Sequence, residues 1–210
     1  MKVQRRQMLI AMAGVSLLGT AWAQSQNGAH FRTTTIEGIE NVMLEGHDAV
    51  AYFAQGTAAK GEPQLGLDHA GVRWRFSSEA NKAAFMANPA QYMPQFGGYC
   101  SNGINYAIPG GGGGGPNTWR IYRGRLYVFG GQSSRDHFEM ETELNIRRAH
   151  QYWDAEVAGS NPVLQRLRRM IFRVPHYMTD AALQAQWIAK RDAGTLAVMP
   201  GASQVVSAAP

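Results

Sequence analysis

The chain has 210 residues, enough for one compact domain with appendages, and its 45% hydrophobic and 17% charged content excludes a collagen-like or wholly disordered protein. Cys100 is its only cysteine, which excludes an intramolecular disulfide and a zinc site built from several cysteines of one chain. The formal net charge is +5, but much of it comes from the N-terminus.

Residues 1–23 have the pattern of an export signal. Arg5 and Arg6 precede a moderately apolar stretch, and the sequence at 21–23, Ala-Trp-Ala, fits cleavage by a signal peptidase after Ala23. The paired arginines resemble a twin-arginine signal, with an ordinary secretory signal as the alternative. The leader holds three basic residues and no acid, so the net charge without it falls to +2. We therefore expect a periplasmic protein and no nucleic-acid binding.

The core-forming sequence starts near residue 41, after a polar N-terminal arm over residues 24–40. Apolar residues alternate with arginines over 72–76, which predicts a half-buried strand. The pair Ser77-Ser78 is placed to cap a helix that reaches about Ala87. Pro89 then stands in the first turn of a shorter helix.

Gly110 to Gly115 form a run of six glycines, which leads through Pro116 into the next predicted strand. A phosphate-binding loop needs Gly-Lys-Ser/Thr leading into a helix. Because this run has no lysine nearby and no helix after it, we interpret it as a flexible surface insertion.

Residues 119–129 predict a β-hairpin with its turn at Arg123-Gly124. Ser133 or Ser134 is expected to cap one further helix that reaches about Trp153. Short strands mixed with helices, without repeated βαβ units, predict a single small α+β domain over residues 41–153, built from antiparallel strands, a hairpin and packed helices.

A C-terminal helical extension is predicted over residues 154–192, followed by a disordered tail over 193–210. Its first helix is amphipathic, with arginines on one face. We expect the apolar face to pack on the domain; the alternatives are peripheral contact of the basic helix at 162–174 with an anionic membrane, or binding of an acidic partner. A second helix is predicted from Asp180 to Arg191, with Leu183, Trp187 and Ile188 inward. The apolar face of the first helix consists of Leu164, Leu167, Met170, Ile171 and Val174.

Three groups of residues have side chains that could bind a metal or take part in catalysis. His47 and Asp48 offer an imidazole and a carboxylate side by side, although Asp48 also fits a helix N-cap. Cys100 follows a double glycine that permits close backbone approach, although a lone cysteine is also typical of an apolar core. His137 and Glu141 are one helical turn apart, which fits a weak ligand pair or a solvated helix face.

The segment Leu44–Phe53 resembles the opening of exported bacterial YHS-domain proteins, whose usual signature is Tyr-Asp-Pro-Val-Ala-Tyr-Phe. The resemblance continues through the segments 74–78, 88–89 and 97–100, resumes at 124–127, and covers about residues 41–130. YHS domains are similar to TRASH-type metal-sensing modules. The resemblance therefore implies binding or handling of copper or another heavy metal, with Cys100 at the position of the matching cysteine.

The chain departs from the family pattern at His47, where tyrosine is usual, and at Ala49, where proline is usual. The several cysteines of the TRASH modules are reduced to Cys100. Since a Cu(I) site needs two or three soft ligands, histidine, methionine or a second chain would have to complete it.

Three functions remain open from the sequence. The first is an exported module that binds a transition metal (Cu or Zn) through Cys100, with His47 and Asp48 as co-ligands. The second is a non-catalytic module of the cell envelope without a metal, which binds a small ligand or another envelope protein through aromatic residues such as Tyr52 and Tyr99. The third is a thiol enzyme with Cys100 as nucleophile and a histidine base, which no acid pair, triad spacing or cofactor fingerprint supports.

Overall fold

The computed structural model of the chain describes residues 31–106, 114–157 and 162–196. The predicted leader, most of the glycine insertion and the tail beyond residue 196 lie outside these ranges. Within them the chain has an α+β fold, as the mixture of short strands and helices predicts.

A four-stranded sheet forms the first half of the fold. Its strands are β1 (Thr33–Ile36), β2 (Ile39–Met43), β3 (Glu62–His69) and β4 (Val72–Phe76), in the spatial order β1-β2-β4-β3. The β1–β2 and β3–β4 pairs are antiparallel, whereas β2 and β4 are parallel. The strand predicted at 72–76 is confirmed, but its expected half-burial is not, because Arg75 is only 5% exposed and pairs with Glu37 at 3.2 Å. The last part of the expected arm differs, because residues 33–36 and 39–43 are strands of this sheet.

Three short helices, one between β2 and β3 and two after β4, close the first core. They are α1 (Ala51–Ala54), α2 (Glu79–Ala87) and α3 (Pro89–Tyr92). Ser78 caps α2 through its hydroxyl, which accepts the backbone N–H of Asn81 at 3.1 Å, and Pro89 occupies the first turn of α3 as predicted. Phe85 of α2 is fully buried against the sheet. The largest buried side chains of this core are Tyr52, Trp74, Phe76 and Phe85.

The second half begins with α4 (Ser101–Tyr106) and a hairpin of β5 (Gly115–Tyr122) and β6 (Arg125–Phe129). Arg123 and Gly124 occupy the turn with φ of 48° and 70°, the left-handed pair that matches the twist of a two-residue hairpin. β5 starts earlier than expected, at the last glycine of the run, because Gly115 pairs with Phe129.

Two helices follow the hairpin where one was predicted: α5 (Gln132–Glu139) and α6 (Thr142–Tyr152), which continues into a wider helical turn at Trp153–Val157. The predicted serine cap is wrong, because α5 begins after Gly131. The helix is broken at Glu141, which has φ −145° and ψ 58°. The side-chain amide of Asn145 donates to the carbonyl of Phe138 at 2.9 Å and so satisfies a backbone group that the break leaves open.

The C-terminal extension contains α7 (Pro162–Ile171) and α8 (Asp180–Asp192). The expectation that the first helix packs its apolar face on the domain fails at Leu167, Met170 and Ile171, which are exposed, and holds at Val174, which is 7% exposed. Arg169, expected on the solvated face, is only 8% exposed. In α8, Leu183 is buried as predicted, but Ile188 is exposed. Among the helices of the described ranges, none combines the length and the apolar character needed to cross a bilayer.

Candidate functional site

The segment that leads to His47 and Asp48 reverses the chain directly after β2. Leu44, Glu45 and Gly46 have φ of 51°, 51° and 77°, so three successive residues occupy the left-handed region, which non-glycine residues seldom adopt. This tight reversal buries both His47 and Asp48 while aiming them at different neighbours.

Asp48 is fully buried, and its carboxylate accepts hydrogen bonds from residues at the starts of two helices. Oδ1 accepts the backbone N–H of Val50 at 2.8 Å and that of Ala51 at 3.3 Å, at the start of α1. Oδ2 accepts the N–H and hydroxyl of Ser77, at 2.8 and 2.6 Å, and the side-chain amide of Asn81 at 2.6 Å. Five donors thus compensate the cost of burying the carboxylate. Asp48 also caps the start of α1, which agrees with its interpretation as a helix N-cap.

His47 is buried beside a different set of groups. Its Nδ1 lies 3.0 Å from the carbonyl oxygen of Leu44, and its backbone forms an isolated antiparallel bridge with Lys60. Burial lowers the pKa of His47, and the positive charge of Lys60 lowers it further. The imidazole is therefore neutral at pH 7, the form in which histidine serves as a metal ligand or hydrogen-bond partner.

Cys100 lies in the second core, at the end of β6. The chain reaches it through Phe96, Gly97 and Gly98, whose φ values of 56°, 58° and 82° form another left-handed run. Its Sγ accepts the backbone N–H of Gly130 at 3.2 Å, and the side chain is only 4% exposed. The buried residues around it are aromatic or aliphatic: Phe96, Ile104, Tyr122, Tyr127, Phe129, Phe138, Ala149 and Trp153. The thiol is thus placed as a small apolar core residue.

The two tyrosines of the predicted aromatic surface lie apart. The hydroxyl of buried Tyr52 donates to the carbonyl of Pro116 at 2.9 Å, and its ring packs edge-on to Trp119 with centroids 5.0 Å apart. Burial raises the pKa of Tyr52 far above its ordinary value. Tyr99 is half-buried and packs near Trp153, with centroids 6.2 Å apart. Tyr52 thus belongs to the first core and Tyr99 to the edge of the second.

The residues of the hypothetical metal site are divided in the same way. Asp48 connects α1 to α2 in the first half, whereas Cys100 packs among the aromatic residues of the second. Across residues 31–106, 114–157 and 162–196, no three His, Cys, Asp or Glu side chains are grouped so that they could hold one metal ion. The hydrogen bond of Cys100 comes from a backbone amide rather than from the histidine that a thiol enzyme would need.

His137 also has a different environment from the predicted one. Its side chain is fully buried, with Nε2 2.9 Å from Oε1 of Gln184, a residue of α8. Glu141 lies in the break between α5 and α6 and is exposed. The pair is therefore neither a solvated helix face nor a joint ligand set, because the C-terminal extension covers the histidine.

Several buried or half-buried polar residues were not predicted from the sequence. Ser77 and Asn81 complete the carboxylate network, and their spacing of one helical turn next to a predicted cap was the signal that could have identified them. Asn105 and Asn145 bond to each other at 2.9 Å between α4 and α6. Asn102 is fully buried with neither of its amide atoms hydrogen-bonded.

Comparison of the chain with known proteins gives no match to a protein-family model, a curated protein or a solved structure.

Proposed function

We propose that this chain is a non-catalytic interaction module of the bacterial cell envelope, built on a YHS-type domain. Its export and periplasmic location follow from the leader-like pattern of residues 1–23. The YHS assignment rests on the sequence resemblance over about residues 41–130.

The main support for the proposal is that the candidate metal ligands Asp48 and Cys100 already make contacts within the fold. Asp48 accepts five hydrogen bonds within the protein, so a metal ion could take its oxygens only by breaking the contacts that join α1 to α2. Cys100 is enclosed by aromatic side chains and accepts a backbone N–H. Groups held in this way stabilise the fold. We therefore assign partner binding to the surface of the module.

A metal-handling function is the second candidate, with copper or zinc as the ion. It is favoured by the match of residues 97–100, Gly-Gly-Tyr-Cys, to the YHS-type pattern. In this function the Cys100 thiolate is one ligand and neutral His47 another, and a rearrangement of the left-handed segment 96–98 would have to expose the sulfur.

Metal titration of the chain from Gln24 onward separates the two functions. Cu(I) and Zn(II) are offered anaerobically against a competing chelator, to the wild type and to Cys100→Ser. An interaction module gives the same weak binding in both proteins. Stoichiometric binding that disappears in Cys100→Ser contradicts the proposal and establishes the metal-handling function.

The reactivity of the Cys100 thiol tests the proposal independently. Ellman's reagent should react with Cys100 at least about a hundredfold faster in denaturant than in the folded protein, because a thiol enclosed in the core reacts only after opening. Rapid reaction of the folded protein would place the sulfur at the surface and favour a ligand or nucleophile.

A further inference from the structure

The C-terminal end of α7 exposes a group of large apolar side chains beside arginines. Ile171 and Phe172 are 72% and 73% exposed, and Leu167 and Met170 are about half exposed. Arg168 and Arg173 are exposed alongside them. We call these six residues the α7 surface. An exposed apolar cluster of this kind is typical of a binding surface rather than of a solvated helix.

Arg169 explains why the apolar side chains point outward. Its guanidinium donates to the carbonyl of Ile104, its Nε lies 3.4 Å from a carboxylate oxygen of Glu156, and it packs 5.4 Å from the ring centroid of Tyr152. These contacts fix the inner face of α7. At about 100° per residue, Leu167 and Ile171 then fall on the opposite face of the helix, and Met170 lies on its side.

The chain segment that contains the α7 surface carries only positive charge. Residues 157–179 contain four arginines and no aspartate or glutamate. Two of the four, Arg168 and Arg173, flank the exposed apolar residues, and the guanidinium of Arg173 lies 4.1 Å from the ring centroid of Tyr177. The complement of such a surface is an apolar phase bordered by negative charge, which is the interface of an anionic bilayer.

We propose that the α7 surface docks the protein on an anionic lipid membrane, with Ile171 and Phe172 entering the acyl boundary and Arg168 and Arg173 contacting headgroup phosphates. This inference rests on the proposed function, since it identifies the partner of the interaction module. Leu167, Met170 and Ile171 are three and four residues apart and form one exposed stripe, which Phe172 extends beyond the helix end. Because the segment around this stripe carries arginines and no acidic residue, an anionic bilayer fits it as an apolar layer bordered by negative charge.

Vesicle co-sedimentation tests the inference with the chain from Gln24 onward, which keeps every described residue and removes the apolar leader. Vesicles of phosphatidylcholine alone are compared with vesicles containing equal parts of phosphatidylglycerol. We expect binding at least about tenfold stronger to the anionic vesicles, and weaker binding at high ionic strength.

Paired variants separate insertion from charge attraction. The double substitution Ile171→Ser with Phe172→Ser should lower binding to anionic vesicles by about tenfold or more, because both side chains lose their contact with lipid. Arg168→Gln should lower it by about fivefold. Met86→Ser is the matched control, since Met86 is 59% exposed on α2, outside the α7 surface, and its replacement should leave binding unchanged. Thermal unfolding verifies that all variants are folded.

Absence of binding to anionic vesicles, or equal binding by the wild type and the Ile171/Phe172 variant, would overturn the inference. Binding to soluble polyglutamate that needs Arg168 but not Ile171 would overturn it too and would indicate an acidic protein partner. Either result leaves the proposed function standing, because that function fails only if Cys100 binds metal or reacts at the surface.

Discussion

The carboxylate of Asp48 accepts a hydrogen bond of 2.6 Å from the side-chain amide of Asn81, which lies 33 residues further along the chain. The same oxygen accepts the hydroxyl of Ser77, while the other oxygen caps the start of α1. One buried charge therefore fixes the relative position of two helix starts. A residue that the sequence offers as a metal ligand acts in the structure as a structural connection between them.

Replacement of Asp48 by alanine should destabilise the protein by about 3 kcal/mol or more, because it leaves several buried donors without an acceptor. Urea denaturation measures the loss. Asp48→Asn should lose less, since its carbonyl oxygen still accepts. Asp68→Asn is the control: this exposed carboxylate pairs only with Arg73 at 3.1 Å, so its loss should cost less than about 1 kcal/mol. Equal losses for Asp48→Ala and Asp68→Asn would show that the network contributes little.

Phe85 and Met86 are neighbours on α2 with opposite environments. The ring of Phe85 is fully buried and contacts those of Trp74 and Phe76, with centroids 4.7 and 5.2 Å apart, whereas Met86 is 59% exposed. Phe85→Ala should therefore lower the free energy of unfolding by about 3–5 kcal/mol through lost burial and the cavity left behind. Met86→Ala should change it by less than about 0.5 kcal/mol. Similar losses in thermal denaturation would mean that α2 is rotated about its axis.

Stability should fall as the solution becomes acidic. Burial lowers the pKa of His47 and of His176 below the ordinary 6.5, and the charges of Lys60 and Arg148 respectively lower them further. The unfolded chain then binds more protons than the folded one. Each histidine's contribution is therefore complete above pH 6.5 and is lost as the pH falls from 6.5 through its folded-state pKa.

Urea denaturation at pH 8 and pH 5 measures this dependence. The free energy of unfolding should be lower at pH 5, and His47→Gln should lose less between the two values than the wild type, because glutamine takes up no proton. Comparison of the variant with the wild type at pH 8, where both side chains are neutral, corrects for packing changes. An identical loss in both proteins would contradict the assignment of the acid sensitivity to His47.

Local patterns in the sequence were sufficient for much of the fold. The alternation at 72–76, the cap at Ser78 and the left-handed turn at Arg123-Gly124 are each determined within a few residues, and the structure confirms them. The break at Glu141 is different. It depends on Asn145 reaching the carbonyl of Phe138, a contact between side chain and backbone that helical periodicity does not encode.

The environment of the candidate site residues could be predicted less well. The local sequence allowed Asp48 to cap a helix. It did not predict the hydrogen bonds from Ser77 and Asn81, because these form only once the sheet places α2 beside α1. Because Cys100 is the only cysteine, the sequence left it as either a metal ligand or an apolar core residue. Which aromatic rings enclose it depends on the packing of α4, α5 and α6 against the hairpin.

The orientation of α7 depends on Arg169. Periodicity alone favours burying the apolar face, because burial of leucine and isoleucine is favourable. The contacts of Arg169 with Ile104 and Glu156 oppose that preference and keep Arg169 inward. Burial lowers the pKa of Arg169, although the carboxylate of Glu156 opposes the shift and the group remains charged at neutral pH.

Arg169→Ala should therefore loosen α7 without unfolding the domain. Hydrogen exchange followed by mass spectrometry should show at least about tenfold faster exchange for amides 167–174, with no change in β4 or β6. Arg168→Ala is the matched control, because Arg168 is exposed on the same helix and its loss should leave exchange unaltered. Equal protection in both variants would mean that apolar contacts hold α7, so that its exposed side chains would have to turn inward and could not form a docking surface.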